Sequence, residues 1–126
     1  EAAGVHGVII PKRNSVTLNY TVAKTSAGAI EYVPVVKVAN LPAAIDELKS
    51  RGVWIFGADM DGTDYTALDY SGSIALVIGS EGKGIGRLVR EKCDFIASLP
   101  MRGKINSLNA SVAAGILMFE AAKHRN

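Results

Sequence analysis

Leu76-Val77-Ile78-Gly79-Ser80-Glu81-Gly82-Lys83-Gly84 is an apolar run that breaks into a glycine-rich loop carrying one carboxylate. A strand that ends in such a loop is how α/β proteins present backbone amides to a small ligand. Two later segments have the same character. Leu99-Pro100-Met101-Arg102-Gly103 follows a second short apolar run, and Ser107-Leu108-Asn109-Ala110-Ser111 opens a long helical pattern. Ends of this kind can converge on one pocket.

The flanking sequence supplies the rest of an α/β domain. Gly7–Pro11 and Val33–Val38 read as strands, and Thr21–Ala29 as a helix of small residues. Asn40 is placed to cap a helix with Pro42 in its first turn, Ala44, Ile45 and Leu48 on its apolar face, and Gly52 at its end. Val53–Phe56 and Ser73–Ile78 are apolar throughout, the pattern of strands buried on both faces. Asp59–Ser71 reads as a loop, Ile85–Lys92 as a short helix, Asp94–Leu99 as a strand and Ser107–Arg125 as a terminal helix. Alternating strands and helices predict a mostly parallel sheet flanked by helices. Glu1-Ala2-Ala3-Gly4 reads as the last turn of a helix with its glycine cap, so residues 1–126 are expected to be a single domain truncated at its N-terminus.

The terminal helix carries two apolar stripes. Leu108, Val112, Ile116 and Phe119 form one, and Ala113, Leu117 and Ala121 the other. A helix apolar on two sides packs against two surfaces, its own sheet and, in one reading, a second copy of the chain.

Composition excludes several classes. Hydrophobic residues make up 48% of the 126, enough for one core and unlike a disordered or fibrous chain. No apolar run approaches the roughly 20 residues of a membrane span. The net charge of +2 does not by itself argue for nucleic acid. Basic residues nevertheless gather over 83–104, while Asp59, Asp61, Asp64 and Asp69 stand without a basic neighbour. The one cysteine, Cys93, excludes an internal disulfide and suits the cytoplasm.

The individual motifs are ambiguous. The 79–86 loop lacks P-loop spacing, has Arg87 where a dinucleotide fingerprint needs its third glycine, and is not a nucleophile elbow. A tight strand-to-helix turn without ligand is an equal alternative. Ser107 and Asn109 open a helix, where capping by Asn106 or Ser107 competes with a ligand-facing role. Asp59–Asp64 imitates a calcium loop, but Tyr70 stands where the twelfth-position carboxylate belongs, so no metal is expected. Cys93 and Trp54 read as core residues, and His6 and His124 receive no catalytic role.

Taken together, Gly79–Gly84, Leu99–Gly103 and Ser107–Ala113 resemble, in order and spacing, the second and third signature motifs of the SpoU class of RNA 2′-O-methyltransferases in the SPOUT superfamily. Val5–Pro11 and Lys24–Ala29 are also similar to that family, so the resemblance covers essentially the whole chain. It is strongest to the branch that methylates a guanosine ribose in large-subunit ribosomal RNA.

The resemblance implies a C-terminal deep trefoil knot, a bent S-adenosyl-L-methionine held in it, and a homodimer packed through the terminal helix. Gly79, Leu99, Met101 and Leu108 would line the cofactor pocket; Glu81, Ser107 and Asn109 match the polar residues near the reaction centre. The reaction is in-line attack of an RNA ribose 2′-hydroxyl on the sulfonium methyl, in which the hydroxyl loses its proton. The family's first-motif asparagine and arginine would lie ahead of Glu1, so residues 1–126 alone are expected to keep the cofactor pocket with little methyl transfer. The alternatives are a cofactor-binding or RNA-binding fragment without catalysis and a transfer-RNA ribose methyltransferase. Ribosomal RNA would be met by Lys12, Arg13, Arg87, Arg90, Arg102 and Lys104, for which an ordinary solvated basic surface is the alternative.

Overall fold

The computed structural model describes residues 1–12, 29–79, 83–105 and 108–125. Its contacts divide the chain into two units, Glu1–Ala44 and Ile45–Asn126. In the first, β1 (Val8–Pro11) pairs in parallel with β2 (Val35–Val38), Val8 opposite Val35 and Pro11 opposite Val38. A 3-10 turn at Ala29–Glu31 precedes β2. Residues 21–28 of the helix expected over 21–29 lie outside the described residues. Glu1-Ala2-Ala3-Gly4 forms one closed turn: the Gly4 amide donates to the Glu1 carbonyl at 2.8 Å, with φ +81° at Gly4. That is the left-handed geometry a glycine cap needs.

Helix α1 (Leu41–Ser50) forms where its caps require. Asn40 Oδ1 accepts the Ala43 amide at 3.0 Å. At the other end, the Gly52 amide donates to the Lys49 carbonyl at 3.0 Å and the Val53 amide to Leu48 at 3.1 Å. This paired closure needs a residue with positive φ, and Gly52 has φ +85°.

The second unit is built on a parallel sheet in the order β4–β3–β5, with β3 (Trp54–Asp64) central, β4 (Ile74–Val77) on one side and β5 (Phe95–Ser98) on the other. Helix α2 (Arg87–Lys92) joins β4 to β5, and α3 (Ala110–Ala122) follows β5. The apolar runs 53–56 and 73–78 thus become adjacent strands, Phe56 opposite Leu76. The core joins Phe56, Tyr70 and Ala121, with Leu68, Ile74 and Leu76 packed against them. The buried Tyr70 hydroxyl donates to the Tyr65 carbonyl at 2.6 Å, so its polar atom is satisfied inside. Burial, followed by the Glu120 and Asp64 carboxylates, pushes the Tyr70 phenol up to about 12.

Three expectations are corrected. The stretch 59–64 continues β3 rather than forming a loop: Thr63 and Asp64 pair with Ala97 and Ser98 of β5, and residues 59–62 lie between the two paired stretches. The terminal helix begins at Ala110 rather than Ser107. Trp54 is 53% exposed instead of core. It stands at the first position of β3, where its ring neighbours that of Phe95 at the start region of β5, with centroids 6.1 Å apart.

Candidate functional site

Because β4, β3 and β5 are parallel, their C-terminal ends share one edge. Parallel α/β sheets bind ligands at that edge. Gly79 lies just past β4, and Leu99 and Met101 just past β5, so these three expected pocket residues lie at the same edge. Gly79 has a direct reason to be glycine. A Cβ there would lie 2.1 Å from both the carbonyl carbon and oxygen of Gly84 and 2.5 Å from the Ile85 nitrogen. Gly79 and Gly84 therefore meet backbone to backbone.

Between these segments β3 leaves the ladder. Ala58 and Thr63 both pair with Ala97, so residues 59–62 form an excursion on the strand. Gly62 lets it lie against β5, since a Cβ would fall 2.5 Å from the Ile96 carbonyl oxygen. Arg90 of α2 donates through Nη1 to Asp59 Oδ2 at 2.6 Å and through Nη2 to the Asp61 carbonyl. Ser98 Oγ donates to the Met60 carbonyl at 2.7 Å. Arg90, expected among the RNA-facing cations, is thus engaged within the protein. Asp64 ends β3 by capping the turn at Tyr65–Ala67. The Thr66 hydroxyl and amide donate to its carboxylate and hold it below the usual carboxylate range. Among the described residues no group of His, Cys, Asp and Glu could hold a metal ion.

Asn109 is the N-cap of α3. Its Oδ1 accepts the amides of Ser111 at 2.9 Å and Val112 at 3.3 Å, and also the Ser111 hydroxyl. Capping and ligand recognition remain compatible here, because Oδ1 is committed while Nδ2 makes no hydrogen bond among the described residues. Glu81 and Ser107, and the capping expected from Asn106, lie outside the described residues. Leu108 is half-buried immediately before the cap. Arg87 is 93% exposed and pairs with Glu91 at 3.1 Å, while Arg102 and Lys104 are exposed. Cys93 is half-buried beside Gly57, its thiol donating to the Val89 carbonyl at 3.3 Å. Burial, with a smaller contribution from the Asp94 carboxylate, pushes that thiol up, as expected of a structural cysteine.

Comparison with known proteins decides the family. The model of the SpoU rRNA Methylase family matches residues 1–119. The chain belongs to that family. YacO of Bacillus subtilis (strain 168), named for the TrmH family of tRNA/rRNA methyltransferases, is 56% identical over 127 residues, covering 100% of this chain and 51% of that protein. Among solved structures, the SpoU methyltransferase AviRb from Streptomyces viridochromogenes in complex with AdoMet superposes with a TM-score of 0.89 at 29% identity, over 98% of this chain and 51% of that one. An AdoMet-bound rRNA methyltransferase from Sinorhizobium meliloti gives 0.90 at 28% identity, over 99% and 48%. The chain spans about half the length of these relatives.

Sequence reasoning placed Gly79, Leu99 and Met101 in the expected pocket and Arg90 among the RNA-facing cations, but did not foresee the contacts of Arg90 with Asp59 and of Ser98 with the Met60 carbonyl. The only signal for them was the run of unpaired aspartates followed by a basic helix.

Proposed function

We propose that this chain is the cofactor-binding catalytic portion of an S-adenosyl-L-methionine-dependent RNA ribose 2′-O-methyltransferase. The observation that carries the reading is the backbone contact of Gly79 with Gly84 and Ile85 at the edge where Leu99 and Met101 also lie. Such a turn offers backbone groups to adenine and amino-acid moieties and leaves no room for a side chain between its ends.

In this reading Gly79, Leu99, Met101 and Leu108 hold the cofactor, which supplies an electrophilic methyl group when bound. Glu81, Ser107 and Asn109 lie toward the ribose. Asn109, its Oδ1 fixed by the helix cap, offers its Nδ2 as a donor that orients the acceptor. The C-terminal segment forms a deep trefoil knot. Ribosomal RNA, through a guanosine ribose of the large subunit, is the substrate, and the protein works in the cytoplasm. Exposed Arg87, Arg102 and Lys104 meet the phosphate backbone, so RNA affinity falls steeply with salt.

A homodimer forms through α3. Leu117 and Ala121 face the core, whereas Val112 and Phe119 stand 49% and 55% exposed on the same helix. Exposed apolar side chains at helical spacing favour a partner surface.

The test is methyl transfer from labelled S-adenosyl-L-methionine to ribosomal and transfer RNA, followed by nucleoside analysis for 2′-O-methylguanosine. Label in ribosomal RNA supports the reading; label only in transfer RNA replaces the substrate, and label on a base overturns the chemistry.

A further inference from the structure

The excursion at 59–62 touches both segments assigned to the cofactor. On one side, the Asp59 carboxylate faces Gly84, since a Cβ on Gly84 would lie 3.5 Å from Oδ1 and 3.6 Å from Oδ2. Gly84 is the residue against which Gly79 closes, and it has φ +68°. On the other side, Ser98, the residue before Leu99, holds the Met60 carbonyl. Arg90 clamps Asp59 and the Asp61 carbonyl with its two terminal nitrogens. Three successive residues of a polar, largely exposed stretch are therefore held by side chains.

Stability gives little reason for this. The Arg90 and Asp59 side chains are 35% and 26% exposed, so water still reaches this part-buried pair and screens its contribution to folding. A guanidinium that grips a carboxylate and a carbonyl together fixes geometry more than it adds energy. The grip spans α2 and the excursion, and through Gly84 and Ser98 it reaches the ends of both cofactor segments.

We propose that Asp59 and Arg90 are positioning residues, setting the spacing between the Gly79–Gly84 backbone contact and the 99–101 segment that S-adenosyl-L-methionine must bridge. This rests on the cofactor reading of that edge. Neither residue needs to touch the cofactor. A displacement of order 1 Å at a binding segment has large effects on ligand alignment.

The experiment uses the full chain, with Arg90→Leu, Arg90→Lys, Asp59→Asn and, as control, Lys92→Leu. Lys92 sits on the same helix and pairs with Asp46 at 2.9 Å, away from the excursion. Calorimetry with S-adenosyl-L-methionine, thermal unfolding, and amide resonances of the ligand-free protein are recorded for each. Arg90→Leu and Asp59→Asn are expected to weaken binding by about tenfold or more. Their unfolding temperatures should stay close to that of Lys92→Leu, whose affinity is unchanged. Arg90→Lys should restore part of the affinity, since an ammonium can meet the Asp59 carboxylate without reproducing the fork. The amides of Gly84 and Leu99 should both shift in Arg90→Leu without ligand. Wild-type affinity in Arg90→Leu and Asp59→Asn overturns the proposal, as does a loss that Lys92→Leu shares. If the unaltered chain fails to bind the cofactor, the cofactor reading falls. Shifts of both Gly84 and Leu99 then still support the mechanical link, and unshifted amides overturn it.

Discussion

Replacing Gly79 with alanine places a methyl carbon 2.1 Å from the Gly84 carbonyl carbon and oxygen and 2.5 Å from the Ile85 nitrogen. Ordinary contact begins at 3.4 Å, so the opposing backbone must retreat by 3.4 − 2.1 = 1.3 Å, and no flexible side chain is available to absorb the clash. Overpacking of this kind costs about 1–3 kcal/mol. For a chain of this length that corresponds to a fall in unfolding temperature of roughly 4–12 °C. The same retreat opens the turn proposed to hold the cofactor, so affinity for S-adenosyl-L-methionine should fall by about a hundredfold. Differential scanning calorimetry and titration calorimetry on Gly79→Ala read both quantities. An unfolding temperature within a degree of the parent, together with unchanged affinity, refutes the reasoning about this turn. Gly115 is the internal control, since a Cβ there meets nothing within 4 Å and the residue lies within α3. Gly115→Ala should raise stability by about 0.5–1 kcal/mol.

Asn109→Ala removes an acceptor used by two backbone amides, and chemical denaturation should show a loss of about 1 kcal/mol; no loss would mean that the cap is dispensable. The raised Tyr70 phenol contributes stability that is complete below its unfolded value of 10.0 and disappears as pH climbs from there through about 12. Absorbance titration should find one of the four tyrosines ionising late, together with alkaline unfolding. Simultaneous ionisation near 10 would contradict the buried Tyr70 environment. Phe119→Asp should convert the proposed dimer to monomer in sedimentation without lowering the unfolding temperature of the monomer, because this ring is 55% exposed; an unchanged mass excludes α3 as the interface.

The features legible in the sequence had a local physical signature. Asn40, Pro42 and Gly52 bracket α1 through capping geometry that depends on neighbouring residues alone. The apolar runs around Ile55 and Leu76 announce adjacent parallel strands, buried at Ile55, Phe56 and Gly57 and half-buried along β4. Gly79 was recognisable as part of a motif, yet its reason for being glycine is a backbone five residues away in the chain. The 59–62 excursion was invisible because two aspartates and a glycine obey no strand periodicity; the Arg90 grip and the Ser98 hydroxyl hold it where the ladder to β5 is interrupted. No spacing rule joins Asp59 to Arg90, which are 31 residues apart. Trp54 misled because an apolar neighbourhood in sequence says nothing about which strand position falls at the rim.

If one sheet edge holds the methyl donor, amide chemical-shift mapping of the full chain during titration with S-adenosyl-L-methionine will locate it. Saturable shifts at one equivalent are expected, concentrated at Gly79, Gly84, Leu99, Met101 and Leu108. Absence of binding, or shifts confined to the Val8–Pro11 and Val35–Val38 strand pair, would contradict it.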